Sequence, residues 1–309
     1  MTHERRPSEA VVRAHLPAER LGGAEAAGCT VWADDGVELH VSRWSGTRPR
    51  AVVVLLHGIA SHAGWFRETA TDLRDQGVAV YAPDRRGSGR SGGRRGHLDR
   101  YARALDDVAH VVRLAGSEHP GTPVFLAGSS WAAKLAVVHA AARPTNLSGV
   151  LLLGPGLLPR IGLSPARLLA VGVGHLVTPT ARVAIPLTPE LYTATPRYLQ
   201  FIRADPLRLL TATTRFFWET ARLDRRRKDA SAGLRLPLLV LQGDDDPMMD
   251  VPATRSWFSA LRVEDKTYVS YPGASHTLDF APDRAKYVAD MLAWLSARVP
   301  SAPGRSSGP

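Results

Sequence analysis

The sequence of 309 residues predicts an α/β fold with a mainly parallel sheet, helices on both faces of the sheet and a helical cap. Two observations carry this prediction. Short apolar runs alternate with helical segments, which is typical of parallel strands joined by crossover helices. A long stretch without a convincing strand pattern, residues 154–234, interrupts the alternation, and an insertion of this length predicts a helical cap over the sheet edge.

The predicted strands differ in pattern according to their expected burial. Residues 37–42 alternate between apolar and polar types, as in a hairpin strand. Residues 51–56 form a continuous apolar run, which indicates a strand buried on both faces. The other predicted strands are residues 78–82, 124–127, 150–153, 238–241 and 267–270. Helical segments lie between most of them, for example at residues 101–117 and 132–142.

The chain divides into four parts by composition. Residues 1–27 are polar, rich in Ala and Arg and weakly periodic, and we predict an N-terminal arm there. The predicted core is formed by residues 28–153 and 235–299, with the cap, residues 154–234, inserted between its two parts. The Ser-, Pro- and Gly-rich residues 300–309 predict a disordered tail.

Charge and cysteine content exclude several classes of protein. The net charge is +10, from 39 basic and 29 acidic residues, but no nucleic-acid-binding motif accompanies it, so we expect no nucleic-acid partner. Cys29 is the only cysteine, which excludes a disulfide scaffold and fits a reducing compartment. The sequence shows neither an apolar run of the ~20 residues that span a membrane nor a signal peptide, and we therefore expect a cytoplasmic protein.

A strand-to-helix turn carries the candidate nucleophile. Residues 128–132 read Gly-Ser-Ser-Trp-Ala directly after a predicted strand, close to the nucleophile-elbow pattern G-x-S-x-G. Ala132 replaces the last glycine and is still small, so we expect the turn to form, with Ser130 as its exposed nucleophile. The alternative is an ordinary turn followed by a helix with serine as its N-cap residue.

Two later strand ends supply the partners that a serine nucleophile needs. Asp244, Asp245 and Asp246 follow residues 238–241, and His276 follows residues 267–270. Serine, acid and histidine in this chain order match the triad of an α/β-hydrolase. We predict His276 as the general base and Asp246, three residues after a glycine, as the acid that orients it. Asp244 and Asp245 remain alternatives for the acid.

The loop after residues 51–56 is the predicted source of oxyanion donors. It begins His57-Gly58-Ile59, and a glycine there lets the backbone approach a substrate oxygen. We predict that the backbone N–H groups of Ile59 and Trp131 form the oxyanion hole. His57 is predicted to brace this loop. No ligand set for a metal ion appears in the sequence, and we expect no metal and no cofactor.

Several motifs together resemble the monoacylglycerol lipase and lysophospholipase family of α/β-hydrolases, which is grouped with the serine aminopeptidases S33. The matching segments are residues 57–58, 84–97, 128–132, 205–207, 243–250 and 271–276. The chain departs from the family at Ala132, where the family has glycine, and at Ser88, where it often has histidine. The resemblance spans residues 31–295 and implies an eight-stranded, mostly parallel sheet and cofactor-free hydrolysis of a carboxylic ester.

The cap is expected to select the substrate, a small ester or lipid. We predict that its apolar residues line the inner surface and bind an acyl group, with Leu157, Leu158 and Ile161 as substrate-binding residues. Leu163, Leu168, Leu169 and Val173 are expected on the same surface. The alternative is that these side chains pack the cap against its own helices. An apolar face flanked by arginines is also expected to contact a membrane surface transiently.

Three other functions compete with ester hydrolysis. An acyl-transfer enzyme of the same fold, such as a thioesterase or cyclase of secondary metabolism, would use the same three residues. A binding protein that has lost catalysis is disfavoured by the intact Ser130, Asp246 and His276. A peptidase would need an acidic anchor for a free amino group, and no such anchor is recognisable in the cap. The sequence predicts no oligomeric state.

Overall fold

The computed structural model describes residues 27–142 and 147–299. Ten strands occur in the described residues: β1 (Ala27–Trp32), β2 (Glu38–Trp44), β3 (Ala51–Leu56), β4 (Val78–Pro83), β5 (Val124–Ser129), β6 (Gly149–Leu153), β7 (Arg182–Ala184), β8 (Thr211–Thr213), β9 (Leu238–Gly243) and β10 (Lys266–Tyr271). The predicted arm, apart from residue 27, and the predicted tail lie outside the described residues.

Eight α-helices occur in the same part of the chain. They are α1 (Arg67–Asp75), α2 (Tyr101–Glu118), α3 (Ala133–Ala142), α4 (Pro165–Val177), α5 (Pro196–Ala204), α6 (Thr214–Gly233), α7 (Val251–Ala260) and α8 (Arg284–Ser296). Short 3₁₀ turns cover Ala63–Phe66, Ser130–Ala132, Pro189–Leu191 and Leu278–Phe280.

The main sheet has eight strands in the order β1-β2-β4-β3-β5-β6-β9-β10. β1 pairs antiparallel with β2, β2 pairs antiparallel with β4, and the remaining neighbours are parallel. This confirms the predicted mostly parallel α/β fold. β1 has no counterpart among the strands predicted from apolar runs, because it lies at the sheet edge and most of its side chains are exposed.

The core occupies both faces of this sheet, and β3 shows why its sequence is apolar throughout. Val52, Val54 and Leu56 pack into the cluster under α2, α3 and α6. Val53 and Leu55 point the other way, into the cluster under α1 and α8. Successive side chains of a strand point to opposite faces, so a strand covered on both sides has no polar position.

Residues 154–234 differ in two ways from the predicted helical cap. β7 and β8 form a small antiparallel sheet, although no strand was expected here, because three-residue strands leave no readable pattern. The range also includes α6, which packs against α3 as part of the core layer. Lys134 on α3 binds Asp224 on α6 at 2.8 Å, and Leu223 lies in the cluster below the sheet.

A buried ion pair fastens the cap to the core. His62 Nε2 lies 3.1 Å from Asp205 Oδ2, and the indole N–H of Trp65 donates to the same oxygen at 2.8 Å. Burial lowers the pKa of His62, but the Asp205 carboxylate outweighs burial, and the pKa is raised. Burial raises the pKa of Asp205, but His62 and the hydrogen bonds outweigh it, and this pKa is lowered. Both groups are therefore charged over the pH range between their two pKa values.

Asp205→Asn is expected to reduce the free energy of unfolding by about 3 kcal/mol, because it leaves the buried His62 cation unpaired. Urea denaturation measures the loss. The stabilisation from the raised pKa of His62 is present at low pH and is lost as the pH rises through that pKa. The stabilisation from the lowered pKa of Asp205 is lost as the pH falls through it. The difference in the free energy of unfolding between Asp205→Asn and the unmodified protein is thus greatest at pH values between these two pKa values.

Asp229→Asn is the matched control, since Asp229 is an exposed carboxylate on α6. We expect it to change the free energy of unfolding by less than about 0.5 kcal/mol. Equal stability of Asp205→Asn and Asp229→Asn at every pH would contradict an anchoring role for the ion pair.

Candidate active site

Ser130 lies on a sharp turn between β5 and α3. Its φ of +52° is the only left-handed backbone conformation at a non-glycine position in the described residues. Such a conformation is unfavourable for residues with a Cβ, and residues that adopt it cluster at functional sites. A Cβ at Gly128 would lie 2.8 Å from the Ala132 carbonyl oxygen, so the helix crosses the strand end very closely. The buried Ala132 fits into this crossing without breaking the turn.

The carboxyl ends of β5, β9 and β10 bring the three predicted residues together. His276 Nε2 lies 2.8 Å from Ser130 Oγ, and His276 Nδ1 lies 2.7 Å from Asp246 Oδ2. The imidazole and the carboxylate are both buried, whereas Ser130 is only partly buried. The imidazole is therefore placed to accept the hydroxyl proton of Ser130 while Asp246 holds its other nitrogen.

The carboxylate of Asp246 is held by three donors besides His276. Gln242 Nε2 donates to Oδ2 at 3.0 Å, and the N–H groups of Met248 and Met249 donate to Oδ1 at 2.9 and 3.2 Å. Burial raises the pKa of Asp246, but the neighbouring His276 and these hydrogen bonds outweigh burial and keep the pKa below its usual value. The carboxylate is therefore charged and fixed in orientation.

The two other aspartates of the turn do not reach the histidine. Asp244 and Asp245 are exposed, and Asp244 Oδ1 lies 4.0 Å from Arg255 Nη2. The path of the turn brings Asp246 to His276, which the sequence could only favour by the spacing of Asp246 from the glycine.

The loop after β3 approaches the turn that carries Ser130. A Cβ at Gly58 would lie 3.1 Å from Ser130 Cβ and 3.4 Å from its Oγ, so Gly58 lies close beside the hydroxyl. The peptide that follows Ser130 in the chain carries the N–H of Trp131. His57 is buried, and its Nδ1 lies 2.9 Å from the Gly58 carbonyl oxygen, which is a bracing contact. Gly58 thus lies close to Ser130, and the predicted donors, the N–H groups of Ile59 and Trp131, belong to the residues that follow Gly58 and Ser130.

The predicted substrate-binding residues fall into different environments. Leu157 is buried in the cluster below the sheet, and Leu158 packs partly against the same cluster. Ile161 packs against the cluster formed by Trp65, Tyr192 and their neighbours under the cap. All three follow Gly156, whose N–H donates to the Ser130 carbonyl oxygen at 2.9 Å, so their segment starts beside the nucleophile.

The prediction for α4 was wrong. Leu168, Leu169 and Val173 were expected on the inner surface of the cap, but they are 56%, 70% and 55% exposed. The helix packs with its other face, where His175 stacks on Trp218 of α6 with ring centroids 3.7 Å apart. Because α4 is apolar over most of its circumference, the sequence could not show which face is buried.

Sequence reasoning missed two residues near the site. The ring of Tyr192 lies 6.3 Å from that of His276, and its carbonyl oxygen accepts the N–H of Thr277 at 3.0 Å. Arg85 contacts the loop at Gly58 and Ile59. Arg85 stands in a segment that was assigned only by resemblance, whereas no pattern in the sequence distinguishes Tyr192. Within residues 27–142 and 147–299, no group of His, Cys, Asp and Glu is arranged to hold a metal ion.

Comparisons with known proteins show the family of the chain. Residues 47–283 match the sequence model of the family described as serine aminopeptidase, S33. A monoacylglycerol lipase of Mycolicibacterium smegmatis is 30% identical, over 85% of this chain and 95% of the relative. The monoglyceride lipase of Homo sapiens is 29% identical, over 89% of this chain and 92% of the relative. The crystal structure of a Paleococcus ferrophilus monoacylglycerol lipase superposes with a TM-score of 0.77 at 26% identity, covering 84% of this chain and 99% of that one.

Asp246→Asn is expected to slow the labelling of Ser130 by a fluorophosphonate about 10³- to 10⁴-fold, because the histidine loses the carboxylate that fixes its tautomer. The measurement is the second-order rate constant of labelling, with the modified residue located by mass spectrometry. Asp245→Asn, one position earlier and exposed, is the matched control and should be labelled as fast as the unmodified protein. Equal rates for the two variants would exclude Asp246 as the orienting acid.

Proposed function

Because the chain belongs to the family described as serine aminopeptidase S33, we propose that it cleaves esters with an apolar acyl group, monoacylglycerols foremost. It is a serine ester hydrolase of the α/β-hydrolase fold, related to monoacylglycerol lipases. The observation that carries the proposal is the continuous contact from Ser130 Oγ through His276 to Asp246, with distances of 2.8 and 2.7 Å.

In the proposed reaction, Ser130 attacks the ester carbonyl while His276 Nε2 takes the hydroxyl proton. Asp246 stabilises the imidazolium that forms, without accepting a proton itself. The N–H groups of Ile59 and Trp131 bind the oxygen of the tetrahedral intermediate, where each such donor contributes about 2.7–4 kcal/mol. His276 then protonates the leaving alcohol, and a water molecule repeats the sequence on the acyl-enzyme.

The acyl group is assigned to the apolar segment that starts beside Ser130. Leu158 and Ile161 are partly buried, so each has surface that a substrate chain can cover. Leu157 is 2% exposed and supports this segment from below. Burial of an aliphatic side chain against the substrate contributes roughly 1.5–3 kcal/mol, which favours an apolar chain over a charged one.

Ser130→Ala is expected to reduce kcat about 10⁶-fold with an unchanged melting temperature, because the nucleophile is lost from a site that still binds substrate. The substrate panel consists of monoacylglycerols, lysophosphatidylcholine, p-nitrophenyl esters and aminoacyl anilides, with release of free acid or amine as the readout. We expect monoacylglycerols to give the highest kcat/KM. Faster cleavage of the anilides, or transfer of the acyl group to an added amine in place of free acid, would contradict the proposal.

We also propose that α4 contacts lipid surfaces. Its outward face carries Leu169, Leu176 and Val177, which are 70%, 75% and 73% exposed, with Arg167 exposed on the same helix. Apolar side chains beside cations favour the boundary between lipid headgroups and acyl chains. None of the helices in the described part of the chain has the length and apolarity to cross a bilayer. We assign the contact to the membrane surface, and the lone Cys29 fits a cytoplasmic location, where thiols stay reduced.

The double variant Leu169→Ser/Leu176→Ser is expected to lower binding to vesicles of phosphatidylglycerol and phosphatidylcholine at least tenfold, since it removes apolar area worth roughly 1.5–3 kcal/mol per side chain. Co-sedimentation measures the bound fraction. Trp32→Ser is the control, because Trp32 is 60% exposed on the edge strand β1. A larger loss of binding in Trp32→Ser than in the double variant would place the contact elsewhere.

A further inference from the structure

Arg85 is a cation whose hydrogen bonds in the described residues go to the backbone beside the nucleophile. It follows β4, and its Nη2 donates to the carbonyl oxygens of Gly58 at 3.0 Å and Ile59 at 2.9 Å. Its Nε is shielded from solvent and has no hydrogen-bond partner among the described residues. Burial lowers the pKa of Arg85 to about 10, with Asp84 partly offsetting this, so the guanidinium is charged at neutral pH.

The Gly58 carbonyl belongs to the same peptide unit as the N–H of Ile59. Arg85 and His57 both donate to that oxygen, at 3.0 and 2.9 Å. The His57 proton lies on Nδ1, because its Nε2 accepts the backbone N–H of Arg85 at 2.9 Å. Hydrogen bonds to a peptide oxygen polarise the peptide and strengthen its N–H as a donor. The charged guanidinium therefore makes the Ile59 N–H a better partner for a developing oxyanion.

Arg85 also contacts the residue that supplies the second proposed donor. Its Cζ lies 4.7 Å from the centroid of the Trp131 ring, within the range of a cation–π interaction. The indole of Trp131 is also held by stacking on Phe216, with ring centroids 5.4 Å apart, and by a hydrogen bond from its N–H to Thr220 Oγ1. One side chain thus connects the loop of Ile59 with the turn of Trp131.

We propose that Arg85 is a positioning residue of the oxyanion hole, which holds the peptide of Gly58 and Ile59 against Trp131 and strengthens the Ile59 N–H as a donor. This inference rests on the proposed function, in which the N–H groups of Ile59 and Trp131 bind the oxyanion. In this role Arg85 acts through the two peptides and not through a contact with the substrate. Its effect is exerted in the transition state, where the oxygen carries more negative charge than in the bound ester.

The experiment compares Arg85→Met and Arg85→Lys with the unmodified protein. Methionine keeps the length and apolar stem of the side chain but donates no hydrogen bond, and we expect kcat on a monoacylglycerol to fall about 10- to 100-fold with KM unchanged within twofold. Lysine keeps the charge but not the planar guanidinium, so the kcat of Arg85→Lys should lie between those of Arg85→Met and the unmodified protein. A trifluoromethyl ketone with the same acyl chain forms an oxyanion in the hole, and its Ki should rise by the factor by which kcat/KM falls.

Arg86→Met is the matched control for stability. Arg86 is also partly buried, but its guanidinium pairs with Asp107 and Asp35 away from Ser130. We expect it to lower the melting temperature without changing kcat more than twofold. An Arg85→Met variant with unchanged kcat and unchanged ketone affinity, or one with a raised KM alone, would overturn the inference. If Arg85→Met does not fold, the ketone affinity of Arg85→Lys decides in the same way.

A second readout separates this inference from the proposed function. Phosphonylation of Ser130 by a fluorophosphonate also develops negative charge on an oxygen in the hole, but it needs no ester substrate. If no ester of the panel is hydrolysed, the substrate assignment fails, whereas slower labelling of Arg85→Met still supports the role of Arg85. If esters are hydrolysed and Arg85→Met is labelled at the normal rate, the role of Arg85 alone is wrong.

Discussion

The close approach of backbone segments around Ser130 is the constraint on which the site depends. The left-handed turn exposes the hydroxyl, and it is enclosed by neighbours that leave no room for side chains. A Cβ at Gly156 would lie 2.7 Å from the carbonyl carbon of Ser130, and one at Gly58 would lie 3.1 Å from its Cβ. Backbone segments that pack this closely can present N–H groups to a single oxygen, because rigid peptides, and not flexible side chains, surround the hydroxyl of Ser130.

The doubly covered sheet fixes where those segments meet. β3, β5, β9 and β10 are parallel members of one sheet, so their carboxyl ends lie along one edge. The loop with Gly58, the turn with Ser130, Asp246 and His276 each leave one of these ends. Three residues that are distant in the sequence therefore need only short loops to meet, and the rigidity of the apolar core is transmitted to their geometry.

Sequence patterns predicted the fold, and they singled out Ser130, Asp246 and His276, which the structure brings together. Both inferences depend on local signals: continuous apolar runs, and a serine, an acid and a histidine at strand ends. They did not reveal β1, whose side chains are mostly exposed at the sheet edge, or the three-residue strands β7 and β8. They also placed Leu168 and Leu169 on the wrong face, since the stacking of His175 on Trp218 decides the orientation of α4. Arg85 is similarly invisible in the sequence, because its role depends on which carbonyl oxygens its guanidinium reaches.

The loop after β3 both contacts the cap and approaches Ser130. His62 and Trp65, which hold Asp205, follow Ile59 by only a few residues, and the N–H of Leu209 in the cap donates to the Ala60 carbonyl oxygen at 2.9 Å. The cap also reaches the loop of His276 through the bond from Thr277 to Tyr192. A displacement of residues 192–209 would therefore move the loop that contains Ile59 and the loop that contains His276 together. The position of the cap and the catalytic geometry are consequently not independent, although Asp205 lies outside the triad.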